Sequence, residues 1–175
     1  GAAVPVRLNI VADKPEYLEI KPEQLQIHRN LVQQAYKLYG AHHYDHYDFL
    51  LALTDKMGGI GLEHHRSSEN GVVPKYFTDW DKTFVGRDLL AHEYTHSWNG
   101  KFRRAADLYT PTLNEPMRDS LMWVYEGQTQ YWGNVLAARS GLQTKQQGLE
   151  SLAATAALYD TRAGRQWRNV LDTTN

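Results

Sequence analysis

Apolar residues alternate with others at Val4, Val6, Leu8 and Ile10, the two-residue period of a strand with one buried face. The period then changes. Pro22 suits a first helical turn, Leu25, Leu31, Val32, Ala35 and Leu38 follow at helical spacing, and Gly40 marks the stop. Tyr47 to Leu53 is a compact apolar run that predicts a buried strand. Met57-Gly58-Gly59 breaks it, Ile60 to Arg66 predicts a second strand at a sheet edge, and Ser67 to Lys82 reads as a loop. Beyond that the pattern is helical. One helix is expected from about Gly86 to Asn99, ended by Gly100, and another from Asp119-Ser120 to about Ser140, capped by Gly141. A third starts at Thr144, whose spacing to Gln147 matches a capping box. The expected fold class is α+β: a small sheet followed by a mostly helical part, in one domain over residues 1–175.

Composition narrows the function classes. Hydrophobic residues at 42% and charged residues at 22% of 175 are ordinary for a globular chain and argue against disorder. The 19 Lys+Arg against 20 Asp+Glu leave none of the basic excess of nucleic-acid binders, so no nucleic-acid partner is expected. The longest apolar run, Phe49 to Leu53, is far short of the ~20 residues that cross a bilayer, so no membrane partner is expected either. With no cysteine, disulfides, thiolate metal sites and thiol nucleophiles are excluded. A metal site would need histidines and carboxylates. The Gly1-Ala2-Ala3 opening and the polar Asp172 to Asn175 close read as cuts inside a longer protein, and Gly1 as a tag scar; any signal peptide would lie outside, leaving the compartment unassigned.

The chemistry concentrates in Leu89-Leu90-Ala91-His92-Glu93-Tyr94-Thr95-His96-Ser97-Trp98-Asn99-Gly100. Residues four apart share one helix face, so the imidazoles of His92 and His96 can reach one ion. Zinc suits imidazole, and a catalytic zinc takes three protein ligands and leaves a fourth position for water. Glu93 lies roughly 100° around the helix from His92, where it can touch such a water without being a ligand. Leu90, Tyr94 and Trp98 form an apolar stripe on the far side, as in a core helix lining a cleft. Two residues compete as third ligand. Glu115 is separated from His96 by 18 residues but lies in a loop before Pro116, whereas Glu126 is separated from it by 29, in an aromatic-rich helical segment. Rigid support matters more to a ligand than loop length, which favours Glu126.

The run His92 to Gly100, followed by Trp123-x-x-Glu126-Gly127-x-Thr129-x-Tyr131, resembles the gluzincin metallopeptidases, and within them the glycyl aminopeptidase family, which is related to the aminopeptidase N family. Tyr47-Asp48-Phe49-Leu50-Leu51, Gly61-Leu62-Glu63-His64 and Leu171 to Asn175 also look like that family. The resemblance implies a thermolysin-like catalytic domain, flanked in the full protein by an N-terminal β-domain and a C-terminal PDZ domain that are absent here. It implies one Zn2+ ion held by His92, His96 and Glu126, with Glu93 as general base. It also implies that Glu63 grips the α-ammonium of a peptide substrate, although Ile60 stands where the aminopeptidase N pattern has glycine. His64 is a further candidate for substrate contact. The implied oxyanion donor is a tyrosine well beyond the third ligand, and no residue here matches it, so the fragment is expected to bind zinc yet hydrolyse poorly.

Asn99 and Gln130, one turn beyond His96 and Glu126, are candidates for orienting ligands from outside the coordination shell, with helix capping or exposure as the alternative. His42, His43 and His46 with Asp45 and Asp48 resemble a second metal cluster but read better as a polar loop, because nothing there would hold them converged. The expected function is a zinc aminopeptidase acting on small N-terminal residues, Gly or Ala. The alternatives are a non-catalytic, metal-stabilised binding module and an endopeptidase on the same scaffold.

Overall fold

The computed structural model describes residues 2–174; Gly1 and Asn175, the last residue of the closing motif, lie outside the described residues. Four strands, β1 (Val6–Ala12), β2 (Tyr47–Leu53), β3 (Ile60–Glu63) and β4 (Ser67–Val72), form one sheet in the order β1-β2-β4-β3. β1, β2 and β4 run parallel, and β3 lies antiparallel on β4 at the sheet's edge. Helix α1 (Pro22–Tyr39) makes the crossover that parallel pairing of β1 with β2 requires, and Gly40 ends it. The remaining helices are α2 (Leu89–His96), α3 (Thr129–Ser140), α4 (Lys145–Asp160) and two short ones, α5 (Gly164–Trp167) and α6 (Val170–Thr174). The fold is α+β, as the sequence pattern predicts.

β2 supplies Tyr47, Phe49, Leu51 and Leu53 to the core, and α2 answers with Leu90, Ala91 and Tyr94, joined by Trp98 just past its end. Leu31, Val32 and Ala35 of α1 and Leu136 and Ala137 of α3 close the layer. The apolar stripe of α2 thus becomes its attachment to the sheet, which leaves the histidine stripe facing away from the core. Two polar devices sit inside. The indole of Trp98 donates to the Ala41 carbonyl at 2.7 Å, and the Tyr44 and Tyr94 hydroxyls share a short hydrogen bond.

Three expectations need correction. Ser67 to Lys82 is not all loop: residues 67–72 form β4, inserted between β2 and β3. Ser68 and Asn70 are buried there, with Asn70 Nδ2 donating to the Leu50 carbonyl at 3.1 Å and to Ser68 Oγ at 3.0 Å. β2 buries one face, not two, since Leu50 is 47% exposed. The helix expected from Asp119 to Ser140 is interrupted, because Trp123–Gln128 is wound as a π-helix before α3 begins. No helix among the described residues is long and apolar enough to cross a membrane.

Candidate metal centre and active site

α2 and the π-helical turn meet at three nitrogen and oxygen atoms. His92 Nε2 and His96 Nε2 lie 3.1 Å apart, and Glu126 Oε2 lies 3.2 Å from the first and 3.4 Å from the second. Ligands at the ~2.0–2.1 Å of zinc–nitrogen and zinc–carboxylate bonds, arranged tetrahedrally, stand about 3.3 Å from one another. The donor set and its spacing therefore fit a tetrahedral zinc with one open position. Among the described residues, only this trio and an overlapping one, Glu63, Glu93 and His96, bring three or more metal-capable side chains together. Glu115 is exposed in its loop and belongs to neither. His46 pairs with Asp45 at 2.8 Å and His43 stacks on Phe102, so the upstream histidines form no cluster.

Local structure fixes the trio. His96 is buried, and its Nδ1 donates to the Asn99 carbonyl at 3.0 Å, which leaves Nε2 free to coordinate. The Asn99 side chain then reaches the partner element: its amide donates to the Val124 carbonyl at 2.9 Å and to Thr129 Oγ1 at 3.0 Å. Asn99 ties the end of α2 to the wide turn that presents Glu126, at a π-helical segment of the kind frequent in functional sites. Gly133 lets α3 come close, since a Cβ there would stand 3.0 Å from the Cα of His92. Gln130 is elsewhere: its amide donates to Asp88 Oδ2 at 2.7 Å on the surface.

Electrostatics follow the packing. Hydrogen bonds from His92 and His96 pull the Glu126 carboxyl down to about 2. Burial opposes the charged form of His92, but Glu126 and then Glu93 outweigh it and raise its pKa. Glu93 is 4% exposed, and burial pushes it up to about 7 against the pull of both histidines. Its Oε2 is buried with no hydrogen-bond partner. A carboxyl so placed can exchange a proton near neutral pH.

Glu63, at the end of β3, faces the same space, and a ligand oxygen of it lies within 4.8 Å of His96 and Glu93. Two groups hold it. The Tyr125 hydroxyl donates to Glu63 Oε1 in a short hydrogen bond, and Lys101 Nζ lies 3.4 Å from the same oxygen. Burial pushes the Glu63 carboxyl up, but Tyr125 and Lys101 prevail and its pKa falls below the ordinary range. Tyr125 also packs against His96, with ring centroids 4.7 Å apart. Its position directly before Glu126 was the one available signal; nothing in the spacing pointed to Lys101. His64 is exposed and outside both groups.

The comparisons with known proteins agree with this architecture. A crystal structure of an aminopeptidase N family protein from Idiomarina loihiensis superposes with a TM-score of 0.78 at 22% identity, over 97% of this chain and 30% of that one. At that identity the likeness establishes the fold, and the chain spans about a third of that protein's length. No curated protein matches. The family model of the M61 glycyl aminopeptidases matches residues 86–175, from the turn before α2 through Glu126 to the end of the sequence. The chain belongs to the M61 glycyl aminopeptidase family of peptidases.

Proposed function

We propose that the chain is the catalytic part of a zinc-dependent aminopeptidase that removes small residues from the N-terminus of peptides. One observation carries this reading: a Glu63 oxygen lies within 4.8 Å of the His96 donor atom and of Glu93. Successive Cα atoms are 3.8 Å apart, so an α-ammonium bound at Glu63 leaves room for only one residue before the peptide carbonyl meets the metal centre. An endopeptidase would have to thread further residues past that carboxylate.

His92, His96 and Glu126 would hold the zinc, which when bound supplies a Lewis acid for the scissile carbonyl and for a water. Glu93, poised by burial, takes the proton of the attacking water and passes it to the departing amine. Glu63 keeps one oxygen for the substrate while Tyr125 and Lys101 occupy the other. The Tyr125 ring, wedged between His96 and Glu63, forms a wall beside the first residue and disfavours large side chains there.

The test uses metal analysis and peptide hydrolysis on the zinc-loaded full-length protein, because the 175 residues alone are expected to hydrolyse poorly. Glu93→Gln should retain zinc and lose at least 100-fold in kcat, the usual scale for a general base. Glu63→Gln should raise KM for free peptides and leave N-acetylated ones as poor as before. Equal hydrolysis of free and acetylated peptides by the unaltered protein would show an endopeptidase, and zinc without hydrolysis would favour a binding module.

A further inference from the structure

A cavity of about 560 Å³ opens beside the metal centre and has no part in holding it. Its apolar wall comes from Ile60, Val73, Pro74, Val85 and Leu89, and its floor from the glycines at 58, 59, 61 and 86. Ile60, Val73 and Val85 are 39%, 54% and 79% exposed, so no other part of the described chain covers the wall. The volume falls within the ~300–1,000 Å³ of ligand pockets.

The cavity begins where the catalytic residues end. Gly61 lies with its α-carbon against α2: a Cβ added there would overlap the Glu93 carboxylate and stand 2.7 Å from Leu89 Cδ1. Leu89, one turn before Glu93, belongs to the cavity wall. Gly61 is thus the shared boundary between the proton-transfer site and the apolar space, and only a residue without a side chain keeps the two continuous.

The direction of a bound peptide follows from the sheet. β3 is the outer strand, and its second edge pairs with no strand among the described residues. Such an edge can align an extended peptide through main-chain hydrogen bonds. If Glu63 holds the N-terminus at the end of β3, the peptide must run back along the strand toward Ile60, antiparallel to it. At ~3.3 Å per residue, its third and fourth residues arrive beside Gly61 and Ile60, which line the cavity.

We propose that this cavity is the downstream substrate site, taking apolar side chains from the third and fourth residues of a peptide. The site therefore selects peptides of four or more residues over dipeptides. The register rests on the assignment of Glu63 as the ammonium anchor.

Peptide binding to the zinc-loaded Glu93→Gln protein, measured by calorimetry, tests it. Gly-Ala-Leu-Leu amide should bind about tenfold tighter than Gly-Ala-Ser-Ser amide, the scale of burying one leucine side chain. In a Val73→Asp, Val85→Asp double variant, altered at two exposed positions and checked for intact helicity, that ratio should fall to near one. A ratio near one in the parent, or a tenfold ratio that survives both substitutions, overturns the proposal. N-acetylated versions of both peptides judge the anchor separately. If acetylation changes neither affinity, the Glu63 assignment fails and with it the register, while the leucine-to-serine ratio still decides whether the cavity binds.

Discussion

Helices α2 and α4 reach the same secondary structure by opposite routes. α4 spans 16 residues and opens with a complete capping box: Gln147 N donates to Thr144 Oγ1 at 3.1 Å, and Thr144 N to Gln147 Oε1 at 2.9 Å. Yet Gly148 is its one buried residue. α2 has only eight residues and no side-chain cap, and six of the eight are buried. An isolated helix of that length is unstable in water, so α2 exists because the sheet and α3 enclose it. Both metal-capable histidines and the proton-accepting Glu93 stand on the helix whose geometry the whole core determines. The locally specified helix carries none of them.

The largest test of this contrast is a pair of leucine truncations. Leu90, on α2, is 1% exposed, and Leu158, on α4, is 52% exposed. Leu90→Ala should cost about 3 kcal/mol through lost burial and an unfilled cavity. Leu158→Ala should stay within ~0.5 kcal/mol. Chemical denaturation of both variants gives the comparison, and equal losses would show that α4 is as deeply integrated as α2.

Acid should also strike the packed half first. His28 of α1 is buried against Tyr76 and Phe77, its Nδ1 donating to the Gln24 carbonyl at 2.7 Å and its Nε2 lying 3.2 Å from the Tyr76 hydroxyl. Burial lowers its pKa to about 4, with Arg87 adding to the effect against the Gln24 carbonyl. The unfolded chain therefore binds a proton at a higher pH than the folded one does. Stability should be intact above pH 6.5 and fall by roughly 1.4 kcal/mol per unit toward pH 4, for a total of about 3 kcal/mol. His28→Gln should flatten that slope in denaturant titrations across the window; an unchanged slope would remove His28 as its source.

The same contrast explains what the sequence made legible. His92 and His96 face one way because they are four apart on a helix. The aromatic-rich helical pattern around Glu126 favours it over Glu115, although the core expected there does not form: Trp123 and Tyr131 are half exposed and no residue of Trp123–Gln128 is buried. Both arguments are local. α1, β2 and the Thr144 cap were readable for the same reason. β4 was not, because Ser67-Ser68-Glu69-Asn70-Gly71-Val72 has no apolar alternation and becomes a strand only by pairing with β2 and β3. The π-helical turn is equally hidden, since the Asn99 amide that bonds it comes from another element. Lys101 and Tyr125 converge on Glu63 from segments far from it in sequence, a contact that only the folded chain creates.

The smallest effect is the most pointed. Thr144→Ala removes the hydroxyl that caps α4, which typically costs about 1 kcal/mol. In α4 that loss should remain local: faster hydrogen exchange over residues 145–149, with zinc content and exchange in residues 89–96 unchanged. At this end Gly148 packs on α3, where an added Cβ would meet Ala138 Cβ at 3.4 Å, an ordinary contact distance. A fraying first turn can give way there without moving α3, and so without reaching Gly133 or the His92 backbone behind it. If zinc content fell together with the cap, α4 would be transmitting its own stability through α3 to the metal centre, and the division between a locally specified helix and a core-determined one would not hold.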